Sequence, residues 1–203
     1  MPPIKKRKPL PYRRGVGIAL IDDRGRVFVG SDTGLVYAID AQSGCYHWAF
    51  AADASVRTGI AIGASDFTAG GALIYFGDIR GTVYAVDARS GVLAWRERVD
   101  THNLARITGT PVLAGGRLYV PVSGVGEEAQ AKNPNYECCT FRGSVVALDA
   151  DAGTVIWKAF SIAEAPRKVG TRANGLDEYA PADRKSTRLN SSHTDISRMP
   201  SSA

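Results

Sequence analysis

The chain has 203 residues, 44% of them hydrophobic, and a formal net charge of +5 at pH 7. The positive charge comes from the two ends: six basic residues lie in 1–14, and four basic and two acidic residues lie in 183–203. The stretch between them, 15–182, holds 15 basic and 18 acidic residues, a net charge of −3. The basic pI therefore gives no support for a nucleic-acid partner. The sequence contains no run of 18 apolar residues, so it predicts no membrane-spanning helix.

Both ends are predicted to lie outside the folded domain, which we place at 15–182. The leader 1–14 is interpreted as disordered or as a false start, with a nuclear-localisation or nucleic-acid patch as the alternative. No apolar segment follows it to make a signal peptide. The tail 183–203 has no aromatic residue and no glycine. It can be back-translated into the two constant parts of a common short-read sequencing adapter, so we interpret it as a disordered, non-native segment.

The region between the ends predicts strands. Six runs are rich in β-branched and aromatic residues and are bounded by Gly or Asp. In chain order they are VFVGS (27–31), LVYAID (35–40), LIYFG (73–77), TVYAVD (82–87), RLYVPV (117–122) and SVVALD (144–149). The fold class is therefore predicted to be all-β.

One eleven-residue pattern, Ala-x-Asp-x-x-(Ser/Ala)-Gly-x-x-x-Trp, occurs at 38–48, 85–95 and 147–157. The Asp can cap a turn with its side chain, and the Gly supplies a positive φ at the end of that turn. The Trp is expected to pack between neighbouring repeats, where a large ring buries the most area, and stacking on a ligand is the alternative. The motif residues are Asp40, Gly44, Trp48, Asp87, Gly91, Trp95, Asp149, Gly153 and Trp157.

These repeats predict a β-propeller. Each contains strand, short loop, strand, hairpin and Trp-bearing strand, which is most of a four-stranded antiparallel blade. The Asp-to-Asp intervals are 47 and 62 residues, and the difference of 15 predicts an insertion inside a blade. About three blades cannot close a ring, because open blades leave strand edges and a blade face uncovered. We therefore expect a fragment of a larger propeller.

The repeated motif resembles the tryptophan-docking motif of quinoprotein propellers, a family that includes the alcohol dehydrogenases dependent on pyrroloquinoline quinone (PQQ). The resemblance covers residues 27–160. It implies a ring of about eight blades, of which this chain supplies about three. It also implies that PQQ lies on the propeller axis beside a Ca²⁺ ion.

Two segments resemble those that bind PQQ in this family. SVRTGIAIG (55–63) matches the place of an Arg near the quinone oxygens, although a salt bridge at the rim is the alternative. RITGTPVLAGGRLYVPVSG (106–124) resembles a segment in which a Thr is followed by a Ser-Gly pair after the next strand. The resemblance implies these cofactor-binding residues: Arg57, Arg106, Thr108, Ser123 and Gly124.

The same segment departs from the family after Gly124. The family continues with Ala-Glu, whose Glu binds Ca²⁺, whereas this chain reads Val125-Gly126-Glu127-Glu128. A hard cation accepts either carboxylate, so Glu127 and Glu128 are both candidate metal ligands. Two solvated glutamates on a loop are the alternative.

The dipeptide Cys138-Cys139 lies in NYECCTFRG (135–143). In the methanol-oxidising branch of the family, a vicinal disulfide precedes the Arg that Arg57 resembles, but this chain has Ala51-Ala52 there. Instead, the run around the Cys pair resembles the polyvinyl-alcohol-dehydrogenase-like branch. The resemblance implies a disulfide that contacts PQQ, and two reduced or structural cysteines are the alternative.

The resemblance implies a periplasmic parent enzyme that oxidises a small or polymeric alcohol to a carbonyl, with cytochrome c as the electron acceptor. No residue of this chain is assigned as catalytic, and we expect the chain alone to be inactive. The Cys-x-x-Cys-His motif is absent, so any c-type haem would belong to the rest of the parent protein. The alternative function is a non-catalytic propeller scaffold for envelope protein assembly or protein binding.

Overall fold

A computed structural model of the chain describes residues 20–124, 126, 130 and 133–180. The predicted leader 1–14, the predicted tail 183–203 and the candidate metal ligands Glu127 and Glu128 lie outside the described residues. The strands of the described part are β1 (Leu20–Ile21), β2 (Arg26–Gly30), β3 (Leu35–Asp40), β4 (Tyr46–Ala51), β5 (Ala61–Ala64), β6 (Ala72–Gly77), β7 (Thr82–Asp87), β8 (Leu93–Arg98), β9 (Ala105–Arg106), β10 (Val112–Ala114), β11 (Arg117–Gly124), β12 (Ser144–Asp149), β13 (Val155–Phe160), β14 (Arg167–Thr171) and β15 (Asp177–Ala180).

Three sheets repeat one antiparallel order, β1-β2-β3-β4, β5-β6-β7-β8 and β10-β11-β12-β13, with the short β9 also pairing with β11. Each sheet is one propeller blade whose fourth strand carries the docking Trp. The predicted strands 35–40, 82–87 and 144–149 coincide with β3, β7 and β12. The prediction of an all-β fold built from four-stranded propeller blades is confirmed.

The six strand runs predicted from the sequence include none of the first strands of the blades. These strands, β1, β5 and β10, have only two to four residues each. Strands this short give too few residues for an alternation of apolar and polar side chains to be recognised.

The core lies between the blades. In the middle blade, all six residues of β7 and five of the six in β6 are buried, whereas β2 of the first blade alternates buried and half-buried residues. A blade with a neighbour on each face buries both faces, so its strands read as continuous apolar runs. Between the first two blades, Phe76 and Tyr84 stack with ring centroids 5.3 Å apart, and Phe50 packs edge-to-face with both rings.

The chain divides into two compact units. The first contains residues up to Val125 together with Gly143–Ala159, and it holds the three blades. The second contains Gly126–Arg142 and the residues from Phe160 onward, including the β14-β15 hairpin. Its first segment connects β11 to β12, where the other blades have a four-residue hairpin connection, so the predicted insertion inside a blade is confirmed. No helix of the described residues is long and apolar enough to span a bilayer.

Candidate cofactor site

The Asp of each docking motif caps the turn between the third and fourth strands. Oδ1 of Asp87 accepts hydrogen bonds from the amide and hydroxyl of Ser90 at 2.7 and 2.8 Å. Asp40 accepts the same two bonds from Ser43, and Asp149 accepts the amide bond alone, from Ala152 at 2.8 Å. The Gly91 amide closes the turn on the Asp87 carbonyl at 2.9 Å, with φ at 75°. Burial raises the pKa of Asp87, but hydrogen bonds from Ser90 and other donors outweigh burial and hold the pKa below its ordinary value. The predicted cap is therefore confirmed.

Two of the docking Trp residues, Trp48 and Trp95, join their blade to the next one. Nε1 of Trp48 donates to the Ala88 carbonyl at 3.2 Å, and Nε1 of Trp95 donates to the Ala150 carbonyl at 3.0 Å. The Trp48 ring lies over the glycine of the next docking turn, where a Cβ on Gly91 would come within 2.7 Å of it. The predicted packing of Trp between blades is confirmed for these two residues. Trp157, on the third blade, is 40% exposed and contacts Tyr119 of its own blade.

A second joint between blades was missed by the sequence analysis. Nη1 of Arg96 lies 3.0 Å from Oδ2 of Asp53, and Nζ of Lys158 lies 2.6 Å from Oδ2 of Asp100. Each cation directly follows a docking Trp, and each Asp comes five residues after the docking Trp of the preceding blade. That recurrent spacing is the signal through which both pairs could have been found.

The candidate PQQ-binding residues of the three blades lie at the end opposite the docking turns. In an up-and-down antiparallel blade, the connection into the first strand and the connection from the second to the third strand lie at one end. The connections 52–60 and 99–111 lead from one blade to the next and carry Arg57, Arg106 and Thr108. Ser123 and Gly124 end β11 on that same side. The topology therefore brings these five predicted residues to one end of consecutive blades.

Two of these residues hold equivalent positions. The Val56 amide donates to the Ser31 carbonyl at 3.1 Å, and the Ile107 amide donates to the Asp78 carbonyl, also at 3.1 Å. Both bonds tie a connection between blades to the hairpin of the blade that it leaves. Because the next residues along the chain are Arg57 and Thr108, the two blades present an Arg and a Thr at the same structural position.

Four candidate residues form one cluster. Oγ1 of Thr108 lies 3.1 Å from Oγ of Ser123, and the Ser123 hydroxyl also donates to the Arg106 carbonyl at 3.4 Å. The pairing of β9 with β11 sets Arg106 opposite Ser123 and Ala105 opposite Gly124. The Arg106 guanidinium donates through Nη1 to two carbonyls of its own loop, at 2.8 and 2.7 Å. The cluster therefore offers two hydroxyls and a cation whose side chain is already engaged by the loop.

Arg57 makes the salt bridge that the sequence analysis gave as its alternative role. Its Nε donates to Oδ1 of Asp32 at 2.7 Å, and the same oxygen accepts a hydrogen bond from the Ser55 hydroxyl at 2.6 Å. The bond to Arg57, followed by the bond to Ser55, holds the pKa of Asp32 below its ordinary value, and Asp32 in turn raises the pKa of Arg57. Half of the Arg57 side chain is exposed. Both groups are therefore charged throughout the neutral pH range.

The Cys pair belongs to the second unit. Cys138 and Cys139 are joined by a disulfide, as the resemblance implied. The Cys139 amide donates to the Tyr179 carbonyl at 3.0 Å, and the Tyr179 amide donates to the Cys138 carbonyl. Arg172 adds bonds from Nη1 to two carbonyls of the insertion, at 3.2 and 3.1 Å. The insertion is thereby fastened to the β14-β15 hairpin, and contact of the disulfide with a cofactor stays a prediction.

The described residues contain no group of three or more His, Cys, Asp or Glu side chains that could hold a metal ion. Because Glu127 and Glu128 lie outside these residues, Ca²⁺ ligation by either of them also stays a prediction.

Comparisons with known proteins agree with this architecture. The chain is 35% identical over 158 residues to a polyvinylalcohol dehydrogenase of Sphingopyxis sp. (strain 113P3), and 36% identical over 160 residues to one of Pseudomonas sp.. Each alignment covers 77% of this chain, but the chain spans only about a quarter of the length of these relatives (24% and 25%).

Solved structures with the same fold include two quinohemoprotein alcohol dehydrogenases. The enzyme of Comamonas testosteroni has a TM-score of 0.53 at 19% identity, over 87% of this chain and 24% of that structure. The enzyme ADHIIG of Pseudomonas putida HK5 has a TM-score of 0.53 at 20% identity, over 79% of this chain and 22% of that structure. The family model PQQ_2, described as outer membrane protein assembly factor BamB, matches residues 7–181. The chain therefore belongs to the PQQ_2 family.

Proposed function

We propose that this chain supplies three blades, and part of the cofactor site, of a PQQ-dependent alcohol dehydrogenase similar to polyvinyl alcohol dehydrogenase. One observation carries the proposal. Consecutive blades share the docking-turn residues, yet at one equivalent position of their opposite end they present Arg57 and Thr108, with Ser123 beside the latter. The identity of 35% to polyvinylalcohol dehydrogenases supports the same assignment.

The donor set fits this cofactor. PQQ is a flat tricarboxylate, which requires cations and hydrogen-bond donors. The Ser123 hydroxyl donates to the Arg106 carbonyl, so Thr108 is the donor in the Thr108–Ser123 contact, and rotation of its hydroxyl turns that hydrogen from Ser123 to a ligand. Arg57 uses Nε for Asp32, and its Nη groups make no hydrogen bond within the described residues. A guanidinium with such donors is well suited to bind a carboxylate.

When bound, the quinone supplies the two-electron acceptor for the conversion of an alcohol to a carbonyl. The part of this chain is to bind and orient the cofactor through Arg57, Thr108 and Ser123. The proposal extends to Ca²⁺ at Glu127 or Glu128, to contact between the Cys138–Cys139 disulfide and the cofactor, and to a periplasmic location. An alcohol substrate, a cytochrome c acceptor and any c-type haem concern the parent protein, and we expect this chain alone to be inactive.

A non-catalytic scaffold in envelope protein assembly is the second candidate, because the matching family model is described as the assembly factor BamB. A scaffold requires the docking turns and the faces of the blades. It gives no reason for a Thr108–Ser123 pair at the same end of the blades as a half-exposed Arg57, so PQQ binding separates the two candidates.

The test is to measure PQQ binding to the 203-residue chain by calorimetric titration. We expect saturable binding that Thr108→Val and Ser123→Ala each weaken about two- to tenfold, because a hydrogen bond contributes about 0.5–1.5 kcal/mol. Thr154→Val is the matched control, because Thr154 is exposed and lies in the docking turn at the opposite end of the third blade. The control should bind like the wild type. Absence of saturable binding to the wild type would contradict the proposal and favour the scaffold.

A further inference from the structure

We propose that Asp32 is a positioning residue, which fixes the orientation of the Arg57 guanidinium that receives a carboxylate of the cofactor. The inference rests on the proposed function and assigns a role to a residue of a different loop, the β2-β3 hairpin. Asp32 acts through Arg57 and needs no contact with the cofactor.

The first argument is the atom through which Arg57 is held. An Arg side chain has five N–H donors, one on Nε and four on the two Nη atoms. Asp32 takes the Nε donor alone, at 2.7 Å, and the described residues accept no hydrogen bond from the other four. A carboxylate that accepted two hydrogen bonds from the guanidinium would have used at least one Nη donor. This arrangement leaves both Nη groups for a second anion.

The second argument is that the carboxylate itself is held in place. The Ser55 hydroxyl donates to the same Oδ1 at 2.6 Å. The Val56 amide bonds to the Ser31 carbonyl at 3.1 Å, so the residues next to Asp32 and Arg57 are tied together by backbone. Ordering a long side chain before a ligand arrives removes part of the entropy cost of binding.

The third argument is that the blade does not need Asp32 for its fold. In the second blade the same hairpin and the same amide-to-carbonyl bond occur. There, Ile79 occupies the position of Asp32, and Thr108 occupies that of Arg57. Ile79 has no side-chain acceptor, yet the hairpin and the connection keep their backbone bonds. An Asp therefore occurs in the hairpin of the blade that has an Arg at the facing position. Its role is to hold the Arg57 side chain, and the backbone fold does not depend on it.

Two substitutions separate positioning from simple charge. Asp32→Ala removes the acceptor and the charge, whereas Asp32→Asn keeps an acceptor oxygen at Oδ1 and removes only the charge. Positioning predicts that Asp32→Ala weakens PQQ binding about two- to tenfold and that Asp32→Asn stays close to the wild type. If Asp32 acted only by repelling an anionic ligand, both variants would bind PQQ more tightly. Asp23→Ala is the matched control, an exposed carboxylate in the turn at the opposite end of the same blade.

The experiment combines PQQ titration of the 203-residue chain with NMR of ¹⁵N-labelled arginine in the cofactor-free chain. We expect the Arg57 Nε–H signal to be slow in exchange with water in the wild type, in Asp32→Asn and in Asp23→Ala, and fast in Asp32→Ala. PQQ affinity should follow the same order. If the wild type binds PQQ and Asp32→Ala binds it equally well or more tightly, or keeps a slow Nε–H signal, the role of Asp32 is overturned alone. If the wild type binds no PQQ, the proposed function and this role both fall.

Discussion

The two ends of the blades follow different rules. At the docking-turn end, the Asp cap recurs in all three blades with the same amide hydrogen bond, and the Gly of the second and third turns lies under the Trp of the preceding blade. At the other end, the first two blades repeat the backbone bonds but change the side chains, with Arg57 in one blade and Thr108 in the next. Repetition of residue and contact marks what the fold requires. Repetition of backbone with different polar side chains marks the end of the blades where we propose that the cofactor is recognised.

The largest loss of stability is expected from a substitution that disrupts a docking turn. Gly91→Ala places a methyl group within 2.7 Å of the Trp48 ring at a φ of 75°, so it should lower the free energy of unfolding by about 3 kcal/mol or more. Gly25→Ala is the matched control, because its φ is 71° but nothing lies within 4 Å of the added Cβ. It should cost only about 1 kcal/mol for the backbone conformation. Urea unfolding measures both, and equal losses would show that the Trp contact contributes nothing.

The two ion pairs between blades should differ in strength. Lys158 and Asp100 are 25% and 9% exposed, whereas Arg96 and Asp53 are 56% and 53% exposed. Lys158→Met should therefore lower the free energy of unfolding by about 1 kcal/mol or more, since it leaves a mostly buried carboxylate without its cation. Arg96→Met should cost less than about 0.5 kcal/mol, because exposed pairs are weak. A larger loss for Arg96→Met in the same unfolding assay would reverse this ranking.

The smallest effect concerns pH. The pKa of Asp87 is lowered in the folded chain, so its carboxylate contributes stability above the unfolded pKa of about 3.9. That contribution is lost as the pH falls from there through the lower folded pKa. Urea unfolding between pH 6 and pH 3 should show a shallower loss of stability for Asp87→Asn than for the wild type. Asp23→Asn, at an exposed site, should follow the wild-type curve, and identical curves for all three would remove the role of the Asp87 cap.

The sequence predicted the repeating end well, because each docking turn is local and its residues recur at fixed spacing. The Asp cap, the positive φ of Gly91 and the burial of Trp48 all depend on contacts that one motif makes within itself or with its next copy. Asp32, in contrast, contacts Arg57 across 25 residues of sequence. The pair does not recur in the next blade, where Ile79 replaces Asp32, so no repeated spacing could predict it. Resemblance to a family could point to Arg57, but only the fold showed what holds its side chain.

Hydrogen exchange of the 203-residue chain with and without PQQ tests the central claim most directly. The account predicts that PQQ slows amide exchange in the connections 52–60 and 99–111 and around Ser123-Gly124. It also predicts no change in the docking turns 41–45, 88–92 and 150–154. Slower exchange in the docking turns, or no change anywhere at saturating PQQ, would contradict the assignment of cofactor recognition to the end of the blades where the side chains do not repeat.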